Sequence, residues 1–356
     1  MSLLVRDVSL SYGPTQVLRD CSLRVADGEL ACLVGPSGCG KTSLLNVIAG
    51  LIAPDGGHVE IGGYSVDRLP TRERKLAFVM DRLGLYPHLS VFENIAYPLR
   101  IRAIPAHRLQ TRVLETCRLV GLIELENRRP HQLSAGQQQR VAIARALVRD
   151  DAALLLADEC FSNLDAQLRH ELRRSFHRWQ RERGVTSLFV THDQEEALAL
   201  GDRVLLMRDG RIEQAGSPSE LYGDPRTIFA ATFFGIPRCN VVAAANGDNA
   251  LNSFGKYAAL ARPELLPAHR APSSVSLAFR PEAVIIVEPS RSGAIPLKVD
   301  WVEAIGPDSI VCLNGDHFVT ARVRGSPNLA GGSIVGIHIQ QERLMAFDTV
   351  SGGRIG

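Results

Sequence analysis

No apolar run in these 356 residues approaches the roughly 20 that a membrane-crossing helix needs, so nothing in the chain reads as a transmembrane span. The start, Met1-Ser2-Leu3-Leu4-Val5-Arg6-Asp7, lacks the shape of a secretory signal and predicts a protein of the cell interior. Cysteine is scarce. The seven are scattered, odd in number and without a C-x-x-C pair, which argues against a disulfide framework or zinc ribbon and for a reducing compartment. Neither sign of charge dominates, since 40 Lys and Arg against 38 Asp and Glu leave a net +2, too little for a strong field toward DNA or RNA. The length suggests two domains.

What the chain does carry is an ordered set of short motifs. Gly35-Pro36-Ser37-Gly38-Cys39-Gly40-Lys41-Thr42 fits G-x-x-x-x-G-K-[ST], between a strand-like run, Leu30 to Val34, and a helix-like segment, Thr42 to Ala49. In that context it is a phosphate cradle. Its glycines let backbone N–H groups converge on phosphate oxygens, and the helix start adds its positive end. Lys41 supplies a mobile cation, Thr42 offers a hydroxyl to magnesium, and Ser43 follows in the same turn.

Leu133-Ser134-Ala135-Gly136-Gln137 places a serine at the entrance of a second helical segment, Val141 to Val148. Standing alone this would be an ordinary N-cap. Its hydroxyl and the first-turn N–H groups equally make an anion site, so one chain holds two phosphate-binding helix ends. Leu154-Leu155-Leu156-Ala157-Asp158-Glu159 reads as a buried strand that delivers two carboxylates at its carboxyl edge, where open α/β sheets bind ligands. Asp158 is the candidate magnesium ligand and Glu159 the group that polarises an attacking water. Thr191-His192-Asp193 ends the strand from Ser187, and His192 is a candidate γ-phosphate sensor.

With Ser162-Asn163-Leu164-Asp165, these motifs resemble the ATP-binding cassette (ABC) transporter ATPases over about the first 235 residues. The resemblance makes Ser134 to Gln137 the family signature, Ser162 to Asp165 the D-loop and His192 the switch histidine. Tyr12 corresponds to the aromatic that stacks on adenine. ATP and Mg2+ are the implied cofactors. A dimer is implied too, with an identical or homologous ATPase, in which Ser134 and Gly136 of one subunit act on ATP held at Lys41 of the other.

The segment Asp81 to Ile95, with Leu85-Tyr86-Pro87-His88-Leu89-Ser90-Val91 and Asn94-Ile95, matches the form found in bacterial importers. There it would receive two transmembrane permease subunits at the cytoplasmic face of the inner membrane, fed by an extracellular solute-binding protein. One position departs from the family: Asp81 stands where these ATPases carry a glutamine that touches magnesium and the attacking water. Aspartate accepts but cannot donate a hydrogen bond and adds negative charge, so hydrolysis is expected to slow by roughly a hundredfold without being lost. Ala135 replaces the usual glycine of the signature, a modest change because Gly136 keeps the close backbone approach. Cys39 and Cys160 flank the nucleotide site and read as buried free thiols.

Val91 to Leu125 shows helical apolar spacing with Pro98 and Pro105 as breaks, which suits an inserted helical subdomain over about 88–150. Ala166 to Arg183 reads as a helix with Leu168, Leu172, Phe176 and Trp179 as its buried stripe. Its six arginines read as a solvated face, because Glu171 and Glu182 are interspersed. From about 236 the character changes to short β-branched runs between Gly, Pro and Asn. Val275 to Phe279, Ala283 to Val287, Ile295 to Ala304, Ser309 to Leu313, His317 to Val323 and Ile334 to Ile339 read as strands of a small barrel. With Arg280-Pro281-Glu282, this part resembles the oligonucleotide-fold regulatory domain appended to importers of sugars and related solutes. It has few basic or aromatic residues, so nucleic acid is not expected as its ligand. The expectation is thus an α/β P-loop NTPase of the ABC cassette type over 1–235, followed by a small OB-like β-barrel over 236–356. Its implied role is to drive solute import, with sugar as the leading cargo and polyamines, metal ions or other small solutes as alternatives.

Overall fold

The computed structural model of the chain describes residues 1–162, 164–243 and 275–355, in two compact units, Met1–Pro218 and Ser219–Gly356. Asn163, the second residue of the D-loop motif, lies outside the described residues. The stretch from Ser219 to Phe234 goes with the second unit. Arg280 of that unit holds it, donating to the carbonyls of Tyr222 at 2.6 Å and Ala231 at 2.7 Å and also to that of Phe234.

The first unit contains two sheets. Strands β1 (Leu3–Tyr12) and β2 (Thr15–Val25) join β4 (Gly56–Ile61) and β5 (Tyr64–Ser65) in an antiparallel sheet of order β2-β1-β4-β5. Alternate residues of β1, Leu3, Val5, Val8 and Leu10, are buried, with the register shifting between Val5 and Val8. The second sheet is built from β3 (Leu30–Val34), β6 (Leu76–Val79), β7 (Leu154–Asp158), β8 (Thr186–Thr191), β9 (Arg203–Arg208) and β10 (Arg211–Gly216). Its order is β10-β9-β3-β8-β7-β6, parallel throughout except for β10 at one edge. Every residue of β3, β7 and β8 is buried, the continuous burial of a parallel sheet covered on both faces. One core includes Leu10, Leu23 and Val59 of the first sheet and Leu33, Leu156 and Val190 of the second. Because the strands are parallel, the phosphate loop after β3, Asp81 after β6, Glu159 after β7 and His192 after β8 emerge along one edge of the sheet.

Among the described residues, six α-helices complete the unit: α1 (Lys41–Ala49), α2 (Val91–Ile101), α3 (Ala106–Leu119), α4 (Ala135–Leu147), α5 (Ala166–Arg183) and α6 (Gln194–Leu200). The inserted α2, α3 and α4 pack on one another. Pro98 does not break its helix as expected. It lies inside α2, and the break comes at Arg102 to Pro105, where Ala103 turns left-handed (φ 53°) and Pro105 caps α3. A proline there loses one backbone bond, and the helix carries on because Leu99, Ile95 and Val91 stay buried on one face. No helix among the described residues is long and apolar enough to cross a membrane.

Two short helices, α7 (Pro218–Gly223), whose first residue ends the first unit, and α8 (Ile228–Phe233), precede the strands of the second unit. Two antiparallel sheets follow. One is β11 (Asn240–Ala243), β12 (Val275–Phe279) and β18 (Met345–Asp348). The other has the order β13-β17-β14-β15-β16, from β13 (Val284–Val287), β14 (Ile295–Ile305), β15 (Asp308–Asn314), β16 (Val319–Arg324) and β17 (Ile334–Ile339). Leu277, Phe279 and Ala346 of the first share a core with Leu297, Val311 and Ile337 of the second. Six strands were expected. The sheets add β11 and β18, which are short and carry little alternation of their own.

Candidate active site

The phosphate loop is shaped by its glycines. A Cβ on Gly35 would stand 2.2 Å from the Met207 carbonyl oxygen of β9, so only glycine lets the loop leave β3 at that point. Gly40, at φ 106°, is the N-cap of α1 and has no side-chain capping bond. The helix start therefore faces the loop with backbone donors. Lys41 is buried, and its ammonium donates to the carbonyls of Gly35 and Pro36, each at 2.9 Å. Ser37, Gly38, Gly40, Lys41, Thr42, Ser43 and Glu159 line one hollow of about 250 Å3. Pro36 and Cys39 line an adjoining hollow of about 470 Å3, whose other walls are Thr15, Gln16, Val17 and Arg19 of β2 and the turn at Arg208 to Gly210. Burial pushes the Cys39 thiol above its ordinary range despite the nearby Lys41 ammonium, and all seven cysteines are free and buried.

Asp158 ends β7, almost wholly buried, with the Thr42 side chain close by. Burial pushes its carboxyl up to about 6. The polar Thr42 side chain and Lys41 oppose the rise, and the negative fields of Glu159 and Asp81 add to it. Its Oδ1 is buried without a partner, an anionic oxygen that calls for a cation. Asp81, exposed beyond β6, is close enough for its charge to act on Asp158. These residues fit a divalent cation held between Thr42 and Asp158.

Glu159 adopts a left-handed backbone at φ 47°, rare for a residue with a side chain. Its N–H donates to Val190 at 2.9 Å, and its carbonyl accepts from the Ser162 hydroxyl at 2.9 Å. That turn brings Oε2 to 3.0 Å from Nδ1 of His192, at the wall of the phosphate-loop hollow. Ser162, Arg169, Thr191 and Asp193 close a small space of about 40 Å3 around the pair.

The remaining sequence candidates stand apart from these hollows. Ser134 caps α4: its Oγ accepts from Gln137 N at 3.3 Å and its N–H donates to Gln137 Oε1 at 3.0 Å. Ser134 and Ala135 are exposed and Gly136 half-buried, and none of Ser134 to Gln137 lines either hollow. Asp165 caps α5, accepting from Leu168 N at 2.9 Å. Tyr12 is half exposed at the end of β1 and lines neither hollow. One linking residue escaped the sequence reading: Gln139, buried on α4, donates to the Cys160 carbonyl at 2.9 Å and ties the signature helix to the residue after Glu159. The available signal was an amide sharing a buried stripe with Ala142, Ile143 and Ala146.

Fold and site together define a P-loop nucleotide-hydrolysing cassette. A family model described as ABC transporter matches residues 18–162. The sn-glycerol-3-phosphate import ATP-binding proteins UgpC of Pectobacterium atrosepticum and Paracoccus denitrificans are 39% identical over 356 residues and 40% identical over 356 residues, each match spanning 99% of both chains. Among solved structures, the bacterial ABC transporter cassette MJ0796, a dimer, aligns with TM-score 0.57 and 32% identity, over 61% of this chain and 98% of its own. The same cassette in a post-hydrolysis state bound to ADP and Pi aligns with TM-score 0.57 and 33% identity. The chain belongs to the ABC transporter family, as one of its ATP-hydrolysing subunits.

Proposed function

We propose that this chain is the ATPase subunit of an importer for a small solute, working as a dimer beneath two membrane subunits. The observation that carries the reading is the convergence of Lys41, Thr42, Asp158, Glu159 and His192 on one sheet edge around the phosphate loop. Lys41 would exchange the carbonyls of Gly35 and Pro36 for phosphate oxygens. Mg2+ would be held by Thr42 and Asp158, supplying charge neutralisation at the phosphates when bound. Glu159 would take the proton of the attacking water, and His192 would hold that carboxylate in place.

Dimerisation is supported by the exposed signature. Ser134 to Gln137 present a helix start to solvent, away from the chain's own phosphate loop, which leaves them to complete the site of a second copy. Coupling to membrane subunits is supported by the Asp81 to Ile95 segment, beside a hollow of about 330 Å3 lined by Phe78, Met80, Tyr86, Tyr97, Ile101 and Arg145. Asn94 holds that segment, donating to Tyr86, Leu89 and Ser90 carbonyls at 2.9–3.1 Å and accepting from Tyr86 N at 2.8 Å. Cargo of the sugar or polyol-phosphate class follows from the UgpC relatives. The second unit would be the regulatory domain, and the whole would work at the cytoplasmic face of the membrane.

The test is Mg2+-dependent ATP hydrolysis by the chain and its Glu159→Gln variant, alone and with the membrane subunits and solute-loaded binding proteins. Hydrolysis that is lost in the variant and raised by one loaded partner supports an importer engine and names its cargo. ATP-driven dimer closure with no hydrolysis in either form would instead make it an ATP-gated clamp, a reading that Asp81 favours.

A further inference from the structure

On α5, the residues at i, i+3, i+4, i+7 and i+8 from His170 are His170, Arg173, Arg174, His177 and Arg178. That spacing normally marks the apolar stripe of a helix. Here the apolar stripe is the other face, with Leu172, Phe176 and Trp179 buried. The basic stripe instead lines a hollow of about 370 Å3 against Ala199 and Leu200 at the end of α6.

The other arginines of α5 are engaged. Arg169 faces Asp193 at 3.8 Å, Arg181 pairs with Asp202, and Arg183 lies 5.7 Å over the Trp179 ring. The two acids that suggested a neutralised surface do not enter the hollow, and Glu171 is bonded by Gln167 at 3.3 Å. Among the described residues Arg174 and Arg178 have no ion-pair partner, and Arg173 acts on the buried Glu196 carboxyl without pairing with it. Three guanidinium groups and two imidazoles thus share one concave space with no carboxylate in its wall.

We propose that this hollow binds a compact phosphate-bearing anion, at a site separate from the phosphate loop. Guanidinium forks match phosphate oxygens in bidentate fashion, and an anion among several of them relieves their mutual repulsion. A concave basic space within the roughly 300–1,000 Å3 of small-molecule sites suits a small multivalent anion better than an extended polymer.

The experiment is calorimetric titration of inorganic pyrophosphate into the full chain, with the nucleotide site filled by excess ADP. A parallel arm measures cosedimentation with phosphatidylglycerol vesicles against phosphatidylcholine vesicles. The expected result is one pyrophosphate site per chain, weakened at least tenfold in Arg174→Ala/Arg178→Ala and partly restored in Arg174→Lys/Arg178→Lys. Both positions are exposed, so unchanged melting temperature and ADP affinity establish that the variants fold. Vesicle binding lost in the double alanine variant, without pyrophosphate binding, would keep the phosphate site and assign it to a lipid headgroup. No binding of either probe, equal binding by the double alanine variant, or binding only to poly-glutamate or RNA would overturn the proposal.

Discussion

Nδ1 of His192 and Oε2 of Glu159 lie 3.0 Å apart, joining the ends of two adjacent parallel strands, β8 and β7, at the mouth of the phosphate loop. Glu159 reaches that position through a left-handed backbone, φ 47°. Such strain costs a residue with a side chain about 1–3 kcal/mol and persists where the surroundings impose it. Glu159→Gln keeps the same Cβ and the same strain, so it should leave ATP binding intact and lower phosphate release at least about a hundredfold. Glu159→Gly should also abolish hydrolysis but relieve the backbone, raising the melting temperature by about 2–4 °C for about 1 kcal/mol gained. Calorimetry on both variants separates the chemical role from the strain. A Gly variant that melts lower than wild type would remove the strain argument.

Asp158 gives the site a pH dependence of defined sign. Its carboxyl is pushed up to about 6 from an ordinary 3.8, chiefly by burial, so the fold disfavours the ionised form. The penalty is fully present above about 6 and is relieved as pH falls from 6 toward 4. Its ceiling is about 3 kcal/mol. Without nucleotide, the difference in melting temperature between Asp158→Asn and wild type should be largest at pH 7.5, in favour of the variant, and should narrow toward pH 5. Cation binding has the opposite requirement, since it needs the ionised carboxylate. Mg2+·ATP affinity of the wild type should therefore fall below pH 6 while ATP affinity in EDTA changes little. A difference in melting temperature that is flat across this range would show that Asp158 ionises freely.

Much of this site was legible because its determinants are local. The phosphate loop needs glycines at fixed offsets before Lys41. The helix Ala166–Arg183 carries its own cap in Asp165 and its stop in Gly184, which is left-handed at φ 59°. The alignment of Glu159 with His192 followed from two apolar runs ending in polar residues, once a parallel sheet was assumed. What stayed hidden depends on distant partners. Gln139 finds the Cys160 carbonyl 21 residues away, and Arg280 finds Ala231 across 49; the stripe that holds Gln139 signals its burial, but nothing in the sequence names either partner. Arg280 is also why the stretch after Ser219 goes with the second unit instead of ending the first. The arginines of α5 read as a solvated face, and Arg174 and Arg178 are exposed; the hollow they share was hidden because its other wall, Ala199 and Leu200, comes from α6.

Asp81 contributes negative charge to the field on Asp158. Replacing it by glutamine removes that charge and, if the residue reaches the attacking water as the family resemblance implies, would supply a hydrogen-bond donor there. Asp81→Gln should raise hydrolysis by roughly a hundredfold, if the donor matters as much as an oxyanion contact. It should also move the acid limb of Mg2+·ATP binding to lower pH, because one cause of the raised Asp158 value is gone. The second readout is independent of turnover. Faster hydrolysis with an unmoved binding profile would assign Asp81 a role at the water alone; neither change would make it a bystander.

Asn94 is fully buried on α2 and makes four hydrogen bonds to the backbone of Tyr86, Leu89 and Ser90. Arg145 of α4 grips the same segment from the other side, donating to the Leu83 and Gly84 carbonyls at 2.7 Å each. Neither residue lines the phosphate-loop hollow. If the segment transmits force between nucleotide and membrane subunits, loosening it should uncouple the two while sparing the chemistry. Arg145→Ala removes one exposed and one half-buried bond, and Asn94→Ala leaves a buried N–H and carbonyls unpaired at a cost of about 1–3 kcal/mol. Arg145→Ala should therefore keep basal ATPase within about twofold and lose most of the stimulation by loaded membrane subunits, and Asn94→Ala should show the same split with a lower melting temperature. Stimulation preserved in both would place the coupling contact elsewhere. Basal and stimulated rates falling in proportion would mean that the segment supports the active site itself.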